Sequence, residues 1–277
     1  MTDTDESVRV SGVFYKYREF PLDCDELGWK RLELMLSDRQ IYFASPKQLN
    51  DPFDCFPHVT LEGSTAEIQQ KCENYVAEMV EERDRIRVTE RHRADPGFQA
   101  AVDHLVQDIT NQRARSGKLY DQIDKHTGVY CMSTCADSIL QWSYYASGHT
   151  GFALEFTIPS NSAPPFDMVV GVEYVADRQG VEVFDLLSKN NKSYLWQLVR
   201  RKLDRWQHEG EVRAFVTRSG VARFTPDALT SVIFGTKTSP AHKSWIKNTL
   251  KQAGLSVRYL QAEQSYSHFQ LTLREET

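Results

Sequence analysis

The stretch "DRWQHEGEVRAFV", Asp204–Val216, sets Glu209 and Glu211 one residue apart, where a helical pattern passes into an apolar strand. Side chains alternate along an extended chain, so both carboxylates are expected on one face. Two such groups in a partly buried site cannot both ionise freely, and the pKa of one is expected to rise. That arrangement suits proton transfer or the stabilisation of a developing cation. The segment before it is the most basic of the chain, carrying Lys192, Arg200, Arg201, Lys202 and Arg205. The competing reading is an exposed, solvated helix end.

Three other groups have chemistry-bearing residue types. "YKYR", Tyr15–Arg18, ends a strand on Arg18, whose guanidinium can grip phosphate or carboxylate bidentately or simply close the strand at the surface. In "LNDPFDC", Asp51 and Asp54 bracket Pro-Phe, which reads as an Asx-stabilised turn or as two ligands for a divalent cation. "CMSTCADSILQWSYYASGHTG" ends a strand on Ser133 and Thr134. It then caps a helix with Asp137 or Ser138 that carries Trp142, Tyr144 and Tyr145. Hydroxyls for a ribose beside rings for stacking would suit a nucleotide, although helical aromatics also fill cores. A serine hydrolase is not indicated, because no G-x-S-x-G elbow is present. A Cys131–His149 pair is conceivable, but nothing local selects it.

The elements that must position these groups follow from periodicity. Strands are expected at "VSGVFYKYREF", "IYFASP", "GVYCMST", "GFALEFTI", "DMVVGVEYV", "EVRAFVTR", "LTSVIFG" and "LSVRYLQAE", with "SYSHFQLTLRE" as a last edge strand. Helices are expected over "LGWKRLELMLSDRQ", "DSILQWSYYAS", most of "GVEVFDLLSKNNKSYLWQLVRRKLDRW", and "PAHKSWIKNTLKQAG" closed by Gly254. Between residues 64 and 125 the chain turns long and charged. One helix there presents Ile68, Cys72, Tyr75, Val76 and Met79, and a second is expected with Pro96 near its start and Gly117 past its end. The expected fold class is α+β, a single domain over residues 1–277 with a helical insertion at 64–125.

Composition narrows the class. The 277 residues are 40% apolar and 26% charged, with a net charge of −5, which argues against coating nucleic acid non-specifically. Five cysteines, an odd number, and a polar acidic start without an apolar signal core fit a reducing cytoplasm. "CMSTC" lacks a second ligand pair at zinc spacing, so no metal site is expected from it. No apolar run reaches the roughly 18 residues that span a bilayer, and no membrane partner is expected.

Taken in order, the motifs resemble the bacterial family known as domain of unknown function 2971. They are "YKYR" (Tyr15–Arg18), "NDPFD" (Asn50–Asp54), Trp142–Ala146 with His149 and Gly151, the set Lys202/Trp206/Glu209/Glu211/Arg213, and "VIFG" (Val232–Gly235). Tyr144 stands where a histidine is expected in many members. The order is also similar to the R-S-E pattern of ADP-ribosyltransferases: an early-strand arginine, a Ser-Thr-Ser strand (here Ser-Thr-Cys, with Cys135) and E-x-E leading into a later strand. That resemblance implies mixed and antiparallel sheets of an ADP-ribosyltransferase-like core, with NAD as substrate. It assigns Arg18 to the NAD phosphates or the nicotinamide ribose. Ser133 and Thr134 would support the ribose and the active glutamate, and Trp142, Tyr144 or Tyr145 would stack on a ring. Glu211 would be the catalytic glutamate, and Glu209 would orient the acceptor, be it a protein side chain, a nucleic-acid base or water. The alternatives are a metal-dependent nuclease or phosphoesterase using Asp51, Asp54, Glu155, Glu209 or Glu211, and a non-enzymatic nucleotide- or partner-binding module.

Overall fold

The computed structural model describes residues 9–178, 180–187 and 199–276. Lys192, and with it the middle of the helix expected after Gly180, lies outside them. The strands are β1 Gly12–Arg18, β2 Gln40–Phe43, β3 Val59–Thr60, β4 Gly128–Ser133, β5 Phe152–Ile158, β6 Val169–Gly171 and β7 Glu173–Val175. There follow β8 Val181–Glu182, β9 Arg201–Leu203, β10 Glu211–Val216, β11 Gly220–Arg223, β12 Leu229–Phe234, β13 Arg258–Gln264 and β14 Leu271–Glu275.

The chain divides into two compact units. Among the described residues, the first comprises 55–123, 177–178, 180–187 and Val199. Its Thr65–Asp84 helix starts at a reciprocal capping box formed by Ser64 and Glu67. Cys72 and Ala77 from that helix pack with Phe98, Val102 and Ile109 of the Pro96–Thr110 helix and with Val59 and Val183. The expected helix from Pro96 to Gly117 is in fact two. Asn111 leaves helical geometry and its side chain caps a new helix, Gln112–Lys125, by accepting from the Ala114 amide at 3.0 Å. Gly117 therefore lies inside a helix rather than past the end of one.

The second unit, described over 9–54, 124–176 and 200–276, holds an eight-stranded mixed sheet in the order β14-β13-β12-β5-β1-β4-β10-β6. All its pairs are antiparallel except β12–β13, which is linked through the Pro240–Gln252 helix as parallel neighbours require. One face carries Phe14, Met132, Leu154, Phe156, Val212, Val232 and Phe234, buried with Leu32, Met35 and Leu36 of the Glu26–Ser37 helix and Ile246 and Leu250 of the Pro240–Gln252 helix. The other face is partly polar. Register places Glu211, Ser133, Tyr15, Glu155, Ser231 and Arg258 opposite one another across β10, β4, β1, β5, β12 and β13, so their side chains form one row. Tyr17, Ala153 and Ile233 of this face pack with Trp142 and Ala146 from the Ile139–Tyr145 helix.

Two local expectations are corrected here. Arg201–Leu203 is not helical but the short strand β9, paired in parallel with β7. "GVAR", which the periodicity leaves unassigned, is β11 and pairs with β2. Both strands are too short for an alternating pattern to show. Among the described residues no helix is long and apolar enough to cross a membrane.

Candidate functional site

A half-open cavity of about 230 Å³ lies on the second unit. Residues from "YKY", "LN", Asp54, the end of β4, the Ile139–Tyr145 helix, Lys202 and both glutamates line it. It forms where β1 and β4 part: the two strands pair only at Tyr15 and Ser133. Beyond that position Lys16 Nζ donates to the Cys131 carbonyl at 2.7 Å. The volume is that of a nucleoside-sized fragment rather than a whole dinucleotide.

Glu209 and Glu211 converge, but not by strand alternation. Glu209 ends a 3-10 helix, Asp204–Glu209, and Glu211 opens β10. Between them Gly210 adopts left-handed geometry, with φ of +52°. A Cβ there would come within 2.5 Å of the Thr134 hydroxyl, so the turn needs glycine on two counts. Gly210→Ala is expected to lose about 1–2 kcal/mol from backbone strain alone. Urea denaturation checks this, and unchanged stability would count against the turn as described. Ser133 holds the turn from below: its hydroxyl donates to the Glu209 carbonyl at 2.7 Å, and Gln141 Nε2 donates to the same oxygen at 3.2 Å.

The carboxylates share one cation. Lys202 Nζ donates to Glu209 Oε2 at 2.5 Å and to Glu211 Oε2 at 2.8 Å. Arg213 Nε donates to Glu211 Oε1 at 2.7 Å, and Arg213 Nη2 reaches Asp54 Oδ1 at 2.6 Å. At the other end Tyr145 Oη donates to Glu209 Oε1 at 2.6 Å and accepts from Asn50 Nδ2 at 3.1 Å. The chain of contacts therefore begins and ends in "NDPFD", at Asn50 and Asp54. Asp51 makes the expected Asx turn, accepting from the Phe53 amide at 2.9 Å. Arg213 is wholly buried, and Asp54, Glu209, Glu211 and Lys202 are nearly so. Three carboxylates face two cations in this cluster, leaving one net negative charge when all are ionised.

Of the two glutamates, one of which was expected to rise in pKa, Glu211 moves the other way. Burial pushes it up, but the charge and hydrogen bonds of Arg213 and the charge of Lys202 outweigh burial and hold it at about 2. The acid that does rise is Asp54, because burial exceeds the pull of Arg213 and Lys202. Lys202 moves above the ordinary lysine range: burial lowers it, and Glu211, Asp54 and Glu209 more than compensate. Burial and the bond to Glu209 raise Tyr145, and burial with the nearby Glu211 charge raises the Cys131 thiol.

The expected binding residues divide. Ser133, Tyr145, Glu209 and Glu211 line the cavity together. Arg18, Thr134 and Trp142 are not among its lining residues. Thr134 is exposed, its amide bonded to the Gly210 carbonyl at 2.8 Å. Trp142 is fully buried, edge-on to Tyr17 at 5.0 Å with its Nε1 donating to the Ala136 carbonyl, and has no face free for a ligand. Tyr144 is exposed, with its ring near His208. The Arg18 carbonyl lies where a Cβ on Gly151 would come within 2.1 Å, so the glycine of "H-x-G" is a packing requirement. Glu155 sits two strands from Ser133, accepting from Ser231, Thr230 and Arg258 at 2.6, 2.8 and 3.0 Å. Among the described residues no group of three or more His, Cys, Asp or Glu is placed to hold a metal ion. The acids of the cavity face Lys202 and Arg213 instead.

Lys202, Asn50, Gln141 and Arg213 escaped assignment to the site. Asn50, Lys202 and Arg213 stood in the ordered motifs and Lys202 also in the basic segment, whereas Gln141 had no signal beyond its place beside Trp142. Comparison with protein-family models, with curated proteins and with solved structures returned no match to this chain.

Proposed function

We propose that this cavity is the catalytic site of an NAD-using, ADP-ribosyltransferase-like enzyme that cleaves the nicotinamide–ribose bond. One observation carries the reading. Glu211 stands opposite Ser133 in the sheet, buried on the cavity wall and ionised far below neutral pH. Breaking the C1′–N bond sends its electron pair to nicotinamide and leaves an oxocarbenium-like ribose. A fixed carboxylate in a cluster of net negative charge stabilises that cation without reorganising. Glu209, hydrogen-bonded to Tyr145, is positioned to orient the incoming nucleophile, which adds at C1′ and releases its proton to solvent. The acceptor is a protein side chain, a nucleic-acid base or water. The order of the motifs further supports an ADP-ribosyltransferase-like core and membership of the bacterial 2971 family, and the five free cysteines support a reducing, cytoplasmic setting.

The test is release of nicotinamide from labelled NAD by the purified protein, alone and with protein and nucleic-acid acceptors. Release that survives EDTA is expected; none under any condition overturns the reading. A second reading has its own observation: both Glu211 oxygens and both Glu209 oxygens already have donors, as in a rigid binding scaffold. Nucleotide binding by calorimetry without turnover would favour that module.

A further inference from the structure

We propose that Lys16 is the anion anchor of the cavity, receiving a phosphate or diphosphate group of a nucleotide. The cavity has two unlike walls. On the β10 side Lys202 and Arg213 are committed to Asp54, Glu209 and Glu211. On the β1 side Lys16 lines the same cavity with a different set of neighbours. Its Nζ donates to the Cys131 carbonyl at 2.7 Å and sits 4.9 Å from the centre of the Tyr130 ring. Among the described residues no carboxylate lies within ion-pair distance of it. An ammonium has three donors, and a charge withdrawn from water is costly unless it is paired.

The surroundings sharpen this demand. Arg18, two residues along the same strand, has a buried Nε without a hydrogen-bond partner, and the buried Tyr130 Oη also lacks one. Two cations thus stand together on β1 with no acid between them. Burial and the Arg18 charge lower Lys16 to about 8, against the opposing pull of the Cys131 thiol, Glu211 and Glu209. An anion bound at Lys16 would offset the repulsion between the two cations and take up the remaining ammonium donors. A ligand with phosphate at one end and an incipient cation at the other matches the polarity of the two walls. The choice of a nucleotide rests on the N-ribosyl reading above; the anion site itself does not.

Calorimetry with ADP-ribose, inorganic pyrophosphate and adenosine tests the anchor. Lys16→Gln is expected to weaken ADP-ribose and pyrophosphate roughly ten- to a hundredfold, and to leave adenosine unchanged. Lys16→Arg should stay within severalfold of the native protein. ADP-ribose affinity should also fall as pH rises through about 8, where the amine loses its proton. In Lys16→Arg that fall should be absent, because guanidinium does not titrate there. The groups facing Lys16 are Arg18, Tyr130, Cys131, Glu209 and Glu211. Should Lys16→Gln fail to fold on losing the Cys131 contact, the pH profiles of the native and Lys16→Arg proteins decide. Unweakened pyrophosphate binding in folded Lys16→Gln, superimposable pH profiles, or no binding of either anion by the native protein overturns the proposal. NAD left intact while anions bind through Lys16 would remove the chemistry and keep the anchor; NAD cleavage with Lys16-independent binding would do the reverse.

Discussion

Replacing Arg213 by methionine is expected to lower folding stability by about 3–5 kcal/mol. The guanidinium is wholly buried and serves two acids contributed from distant parts of the chain, Asp54 and Glu211. Methionine fills much of the space but leaves two buried carboxylates without their guanidinium partner. Lys202 compensates in part, since it lies 3.7 Å from Asp54 and 2.8 Å from Glu211. Adding Asp54→Asn to Arg213→Met should recover a share of the loss, because one of the stranded charges is gone. Urea denaturation of the two variants checks this. A single variant within about 1 kcal/mol of the native protein, near the value of an exposed pair, would mean that the cluster is solvated.

Glu211→Gln is expected to lower the rate of NAD cleavage by roughly 10²- to 10³-fold, the loss typical when a preorganised electrostatic partner of the transition state is removed. The amide keeps the shape of the side chain and removes the charge that opposes the ribosyl cation. Because Arg213 and Lys202 retain Asp54 and Glu209 as partners, a folded protein is expected, and circular dichroism verifies it. Full activity in the folded variant would remove Glu211 from the chemistry. The same substitution has an independent consequence for acid stability. The folded-state pKa of Glu211 is about 2, below its ordinary 4.5, so its contribution is complete above about 4.5 and is lost as pH falls towards 2. That contribution is on the order of 3 kcal/mol. Asp54, raised by burial, works in the opposite direction and offsets part of it. Comparing native protein with Glu211→Gln isolates the Glu211 share. The native protein should lose stability more steeply between pH 4.5 and 2 than the variant does.

Local chemistry made a large part of this protein legible in its sequence. Strand-like apolar runs marked β1, β5, β10, β12 and β13, and Pro96 marked a helix start. Those patterns depend on residues within a turn or a strand of one another, and neighbours in the chain are enough to produce them. The glutamate pair, Ser133 and Tyr145 were visible for the same reason, as unusual residue types at the ends of clear elements. Tertiary structure decided what those residues do. Glu211 meets Ser133 only through the β4–β10 register, and Asp54 meets Arg213 across 159 residues. Lys202 becomes the shared partner of two acids because a three-residue strand, too short to announce itself, points it inward. The same convergence sets the low pKa of Glu211, since a pKa follows from the charges gathered around a group and not from its neighbours in sequence. It also put Lys16 rather than Arg18 on the cavity wall, because where two strands separate is a property of the sheet and not of either strand.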